Sequence, residues 1–140
     1  MEKEDYKLDF EVRDYECDLS GIVNNAVYQN YLEHARHMYF KMRGLDFAAL
    51  EEQGVTLVVI RIEMDFLFPL RSGDKFFVEV KPERVSRLRF GFQQNIFRVP
   101  DETPILAARV IGTALNEEGR PIRSEDVEQL LARSFEGGNI

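Results

Sequence analysis

One long helical stripe, then four alternating apolar–polar runs with nothing helical between them, limits the folds open to this chain more than any other feature. Tyr6, Leu8, Phe10 and Val12 alternate with Lys7, Asp9, Glu11 and Arg13, the period of two of a half-buried strand. The period then changes. Val27, Tyr28, Tyr31, Leu32, Ala35, Met38, Tyr39 and Met42 recur every three or four residues, the apolar face of a helix of about four turns. Asn24 and Asn25 stand just ahead of it, where short side chains accept from the free N–H groups of a first turn. Gly44, just beyond, suits a left-handed stop. A short second helix is expected over 46–53, between an Asp46 cap and Gly54. Strands then dominate. Ile60, Ile62, Met64, Phe66 and Phe68 alternate with their neighbours up to Pro69, and Phe76, Val78 and Val80 do so after a turn at 71–74. Leu88, Phe90, Phe92, Gln94 and Ile96 make a third run, and 105–115 is a nearly continuous apolar strand rich in alanine. Ser124 is placed to cap a last helix that turns Val127, Leu130 and Leu131 inward.

Connections of hairpin length between successive strands imply antiparallel pairing. One helix with a broad apolar stripe and a set of strands with one apolar face each bury both when the sheet wraps the helix. The expected fold class is therefore α+β, a five-stranded antiparallel sheet wrapped around a long central helix. A single domain is expected over residues 1–140, with a core of 6–134 and a loose tail of 135–140.

Composition narrows the function. With 44% hydrophobic and 31% charged residues the chain is neither disordered nor membrane-like in make-up. Acidic residues outnumber basic ones, 25 to 18, and the net charge of −7 argues against nucleic acid or an anionic membrane as partner. No run approaches the roughly 18 apolar residues of a membrane span, and the charged N-terminal stretch lacks the order of a signal peptide. A lone cysteine forms no internal disulfide, so a cytoplasmic location is expected.

The stretch of greatest chemical interest is residues 14–25, which joins the first strand to the long helix. A helix start offers unpaired N–H groups and the positive end of the dipole to a developing oxyanion. Asp14, Glu16 and Asp18 lie just upstream, and a carboxylate beside an oxyanion site is a kit for acyl transfer. By spacing alone, Asp18 and the Asn pair read first as turn and cap residues, with catalysis as the alternative.

Cys17-Asp18, two further residues, Gly21-Ile22-Val23, then Tyr28, Tyr31 and Glu33-His34-Ala35-Arg36 resemble the signature of the 4-hydroxybenzoyl-CoA thioesterase-like family of hotdog-fold acyl-CoA thioesterases. The Phe68-Pro69 turn and the alanine-rich last strand fall in the family's order too, so the resemblance covers most of residues 6–134. It implies a hotdog domain that hydrolyses acyl-CoA or acyl-carrier-protein thioesters to acid and thiol, with no cofactor and no metal. Asp18 matches the catalytic aspartate, acting as nucleophile or general base. Asn25 matches the position whose backbone N–H faces the thioester carbonyl, and Gly21 the glycine that lets the loop pass close to substrate. The resemblance also implies a homo-oligomer, a dimer or a dimer of dimers, with the active site at the dimer interface. Val59, Ile60 and Arg61 would then approach the partner's Asp18 loop, and Asn24 would border the substrate. The chain departs from many relatives at Asn24-Asn25, where they carry Tyr-His or an aromatic. That pair resembles plant-type acyl-carrier-protein thioesterases, which have Asn and His where this chain has Ser20 and Ile22, so both carriers stay open.

Other residues compete. Glu33, a helix-borne acid, is read first as an ion-pair partner of Arg36 or His37 and second as a catalytic carboxylate. Cys17 lacks a positive neighbour to activate it and is read as inert. His34 and His37 lie three apart, not at the i, i+4 spacing of a zinc helix, and read as surface residues. Arg84, Arg87 and Arg89, with Lys81, form one basic cluster, either a solvated hairpin end or a CoA-phosphate contact. Two rival functions remain, a hydratase or dehydratase on acyl thioesters and a non-catalytic acyl-CoA-binding module. The first commonly needs a histidine near the helix start, and residues 14–25 hold none.

Overall fold

The alternation at the N-terminus becomes β1 (Tyr6–Glu11), and the long stripe becomes α1 (Asn25–Met42). A computed structural model describes residues 6–136. The remaining elements are α2 (Phe47–Glu52), β2 (Thr56–Phe66), β3 (Lys75–Arg84), β4 (Arg89–Val99), β5 (Thr103–Leu115), β6 (Pro121–Ile122) and α3 (Glu125–Glu136). The strands lie in the order β1-β3-β4-β5-β2, every neighbouring pair antiparallel. This is the expected sheet of five long strands, with one addition. The two-residue β6 pairs with the end of β5 at Ala114 and Leu115, just past the point where β4 stops.

Packing follows from the period. On α1 the buried residues are Tyr28, Tyr31, Leu32, Ala35, Arg36, Tyr39 and Phe40, and they meet the inner face of the sheet at Phe76, Val78, Phe92 and Ile96. Tyr39, Phe76 and Phe92 are fully buried. Each such side chain contributes about 1.5–3 kcal/mol relative to exposure. Val127, Leu130 and Leu131 of α3 join the same core, and Ser124 accepts at its cap as expected.

Helix ends are closed by the residues the sequence points to. The Asn24 side chain accepts from Ala26 N–H at 3.0 Å, and Asp46 from Ala49 N–H at 3.1 Å. At the other end of α1, Gly44 takes φ +83°, and Leu45 N–H reaches back to Phe40 carbonyl at 3.0 Å. That left-handed closure needs glycine, because a Cβ is disfavoured there. Asn25 lies inside the helix as its first residue rather than ahead of it, and α3 continues through Glu136, two residues past the expected core boundary. Residues 137–140 of the expected tail lie outside the described residues.

β2 departs most from its sequence reading. It begins at Thr56, four residues early, and its pairing with β5 slips between Val59 and Arg61 so that Ile60 has no partner. This bulge breaks the period of two. Val59 and Ile60 are left exposed, and Ile62 and Met64 are the half-buried residues after the bulge. Gly112 explains how closely β2 and β5 pack, since a Cβ there would lie 2.8 Å from the Val58 carbonyl and 3.0 Å from the Phe90 ring.

Candidate active site

The loop between β1 and α1 is built around three carboxylates, and two of them are tied to side chains outside the loop. After Val12, a single 3₁₀ turn (Asp14–Glu16) brings Glu16 Oε1 to the Arg13 N–H and to the Tyr31 hydroxyl, both at 2.8 Å. Burial and the Glu16 contact raise the Tyr31 pKa far above its ordinary value, so that hydroxyl stays protonated and donates. Asp14 accepts from the Ser72 hydroxyl. Both acids therefore fasten the loop, one to α1 and the other to the turn before β3.

Asp18 differs. It is exposed, and its Oδ1 accepts the Ser20 N–H at 2.8 Å, while Oδ2 has no hydrogen bond among the described residues. A tight reversal presents it. Cys17 pairs with Val23 and Ile22 with Arg71, Asp18 N–H donates to Ile22 carbonyl at 2.8 Å, and Gly21 N–H returns to Asp18 carbonyl at 3.0 Å. Gly21 has φ +80°, a conformation that L side chains rarely adopt. Leu19, at the tip, is fully exposed.

The chain leaves this reversal into α1. Val23 N–H donates to Leu70 carbonyl at 2.9 Å, and Asn24 N–H to Glu16 carbonyl at 3.0 Å. The Ala26 N–H is taken by the Asn24 side chain and the Val27 N–H by the Asn24 carbonyl. The Asn25 N–H has no hydrogen bond among the described residues. Asp18 and Asn25 thus stand on the two arms of one reversal, a free carboxylate oxygen on one arm and a free amide donor on the other.

A groove of about 340 Å³ lies further along α1, lined by Glu33, Arg36, His37 and Phe40, by Phe47 of α2, by 57–59 of β2, and by Phe90, Phe92, Val110 and Gly112. Val59 is therefore gathered with Glu33 and Arg36 rather than with Asp18. Arg36 lies about 16 Å along the helix axis from Asn25, at 1.5 Å per residue. A single chain does not bring the two halves of the expected site together.

The basic cluster divides. Arg84 donates to Glu128 and to the Ser86 carbonyl, whereas Arg87 and Arg89 are exposed with no side-chain partner among the described residues. Arg61 pairs with Glu63 at 3.0 Å on the surface. His34 and His37 stand edge-on to Phe10 and Phe47, and Cys17 is half-buried and free.

Sequence reading missed the burial of Arg36. Its guanidinium Nη1 donates to Gln94 Oε1 at 3.0 Å, and Gln94 Nε2 donates to the Leu32 carbonyl at 3.0 Å. A signal was present. Position 36 falls four residues after Leu32 and four before Phe40, on the apolar stripe itself.

Known proteins resemble this one in sequence and shape. The family model described as the thioesterase-like superfamily matches residues 12–129. A chloroplastic acyl-acyl carrier protein thioesterase of Arabidopsis thaliana is 41% identical over 118 residues, 84% of this chain and 62% of the relative. An acyl-CoA thioesterase of Haemophilus influenzae is 31% identical over 99 residues, covering 67% of this chain and 71% of that protein. A Staphylococcus aureus protein solved in complex with CoA shares the fold with a TM-score of 0.88 at 18% identity, over 97% of this chain and 87% of its own. The chain spans just over three-fifths of the length of the Arabidopsis relatives it matches.

Proposed function

Because the chain belongs to the thioesterase-like superfamily, we propose that it hydrolyses acyl thioesters of CoA or acyl carrier protein, with Asp18 and the Asn25 N–H as the reacting groups. The observation that carries this is the pairing of free groups at one reversal. Of three carboxylates in the loop, Glu16 and Asp14 are tied to Tyr31 and Ser72, while Asp18 accepts only the Ser20 N–H of its own turn, on the reversal that leads into the free Asn25 N–H. A thioester carbonyl needs polarising and a nucleophile. The Asn25 N–H, at the positive end of α1, stabilises the oxyanion, and one such donor is worth about 10²–10³ in rate. Asp18 either deprotonates a water or attacks the carbonyl carbon, giving a mixed anhydride that water opens, with the thiolate leaving in both routes. Thiol release from a panel of acyl-CoA and acyl-carrier-protein thioesters tests the reading. Hydration of an enoyl-CoA without thiol release would overturn it in favour of a hydratase, and binding without either in favour of a non-catalytic module.

The site is completed by a second copy of the chain. The two sheet edges differ in character. β1 presents Lys7, Asp9 and Glu11 outward, charges that block edge pairing, while β2 leaves Val59 and Ile60 exposed on an unpaired edge. Phe66, Leu67 and Phe68 continue the exposed apolar surface. Pairing β2 with its symmetry mate buries these residues and forms a two-fold dimer. Antiparallel pairing sets the Phe66 end of one strand against the Thr56 end of the other. Phe66 lies against Tyr28 and the loop is tied to Leu70, so the Asp18 loop of one copy meets the groove of the other.

Arg87 and Arg89, at the turn leading to Phe90 of the groove, are assigned to the nucleotide phosphates of CoA. Replacing both with serine is expected to raise KM for acyl-CoA about tenfold, equivalent to ~1.4 kcal/mol. Turnover of a short thioester without the nucleotide should hold. Equal loss on both substrates would remove the assignment.

A further inference from the structure

Two tyrosines on the buried stripe of α1 carry hydroxyls with no direct part in the proposed chemistry. Tyr28 and Tyr31 are 3% and 4% exposed, and their rings meet edge-on with centroids 6.1 Å apart. Phenylalanine would fill the same space, so packing accounts for the rings and not for the oxygens. Each oxygen is bound to one arm of the reversal. Tyr31 donates to Glu16 Oε1 at 2.8 Å, and Glu16 stands two residues before Asp18. Tyr28 accepts the Leu70 N–H at 3.2 Å. The Leu70 carbonyl in turn accepts the N–H of Val23 at 2.9 Å, and Val23 stands two residues before Asn25. Burial raises the pKa of both hydroxyls, so both stay protonated.

We propose that Tyr28 and Tyr31 are positioning residues, which together set the distance between the Asp18 carboxylate and the Asn25 N–H across the thioester carbonyl. The inference rests on the thioesterase reading above and extends it from the reacting groups to what aims them. The common frame is α1, which begins at Asn25 and carries both tyrosines within about its first two turns. Asp18 is exposed and holds only the Ser20 N–H of its own turn, so its place depends on how the arm beneath it is fastened. The Asp14 contact to Ser72 ties the loop to the turn before β3 and leaves its distance from α1 to the tyrosines. Glu16 also joins the two arms, because its carbonyl accepts the Asn24 N–H at 3.0 Å. Removing a hydroxyl frees one arm to shift against the helix, and misplacing a reacting group by about 1 Å costs on the order of 10² in rate. Tyr31 thus governs the carboxylate and Tyr28 the amide.

The test is Tyr31→Phe and Tyr28→Phe in the full chain, with kcat and KM taken from thiol release by acyl-CoA and amide protection from hydrogen exchange. Each variant is expected to lose about tenfold or more in kcat, with KM within about twofold of wild type. The amides of Asp18, Val23 and Asn24 should exchange about tenfold faster, while those of β3 and β4 hold. Glu16→Ala should reproduce the loss of Tyr31→Phe, and Glu16→Gln, which keeps an acceptor for that hydroxyl, should restore most of it. In the Asp18→Asn background Tyr31→Phe should cost no more, since the group it aims is already gone. Wild-type kcat in both folded tyrosine variants would overturn the proposal, as would a loss confined to KM or unchanged exchange at the reversal. So would a Tyr31→Phe loss that multiplies in full with Asp18→Asn, the mark of a general structural defect. If either tyrosine variant does not fold, Glu16→Ala decides, because Glu16 is only partly buried. If the wild-type protein releases no thiol, the thioesterase reading fails, and the exchange comparison alone judges whether the hydroxyls hold the two arms.

Discussion

Asp18→Asn is expected to give a folded protein whose hydrolysis of acyl thioesters falls by about 10²–10⁴, the range for a lost general base. The corresponding rise in barrier is roughly 3–5 kcal/mol. Structure and stability should hold because the native hydrogen bond survives. Asn still offers Oδ1 to the Ser20 N–H, and nothing else in the described residues contacts the Asp18 carboxylate. Thermal unfolding should move by no more than about 0.5 kcal/mol, as for an exposed substitution without other contacts. Glu16→Gln and Asp14→Asn serve as controls, since each keeps an acceptor for its own fastening contact. A variant Asp18→Asn with wild-type turnover would move the chemistry elsewhere, to Glu33 first, the carboxylate that lines the groove along α1.

The second large effect concerns the β2 edge. Ile60→Asp is expected to convert the proposed dimer to a monomer in sedimentation velocity and to lower hydrolysis by about 10² or more, the loss from separating the substrate groove of one copy from the reacting groups of the other. Ile60 is 44% exposed in the single chain and sits at the bulge with no partner on β5, so the monomer's own fold tolerates the charge. In the pair, two carboxylates would face each other across the two-fold axis, and like charges so placed cost several kcal/mol. A wild-type protein that sediments as a clean monomer while hydrolysing thioesters would dismiss the shared site. So would an Ile60→Asp monomer of full activity.

Much of this fold is legible in the sequence because its signals are local. The change from period two to period 3.6 after Val23 locates α1, and Asn24, Gly44, Asp46 and Ser124 mark helix ends through hydrogen bonds to near neighbours. β2 was less legible. A bulge at Ile60 depends on how β5 pairs with it, and alternation along one strand contains no such information. The loop shows the same division. Asp18, Gly21 and the Asn pair are recognisable from spacing and from family resemblance. Which of three acids is left untied to another element depends on Tyr31 and Ser72, residues 15 and 58 positions away from their partners. Arg36 was hidden for a related reason. A charge on an apolar stripe is visible, but its partner Gln94 lies 58 residues on, in another strand.

The central claim is that one carboxylate and one amide act on one thioester carbonyl. A crystal structure of the protein with a non-hydrolysable acyl-CoA ketone, its carbonyl in place of the thioester, tests it most directly. The carbonyl oxygen is predicted to lie about 2.7–3.1 Å from the Asn25 nitrogen, with the Asp18 carboxylate against the carbonyl carbon, directly or through one water. A bound analogue whose carbonyl contacts neither group would contradict it.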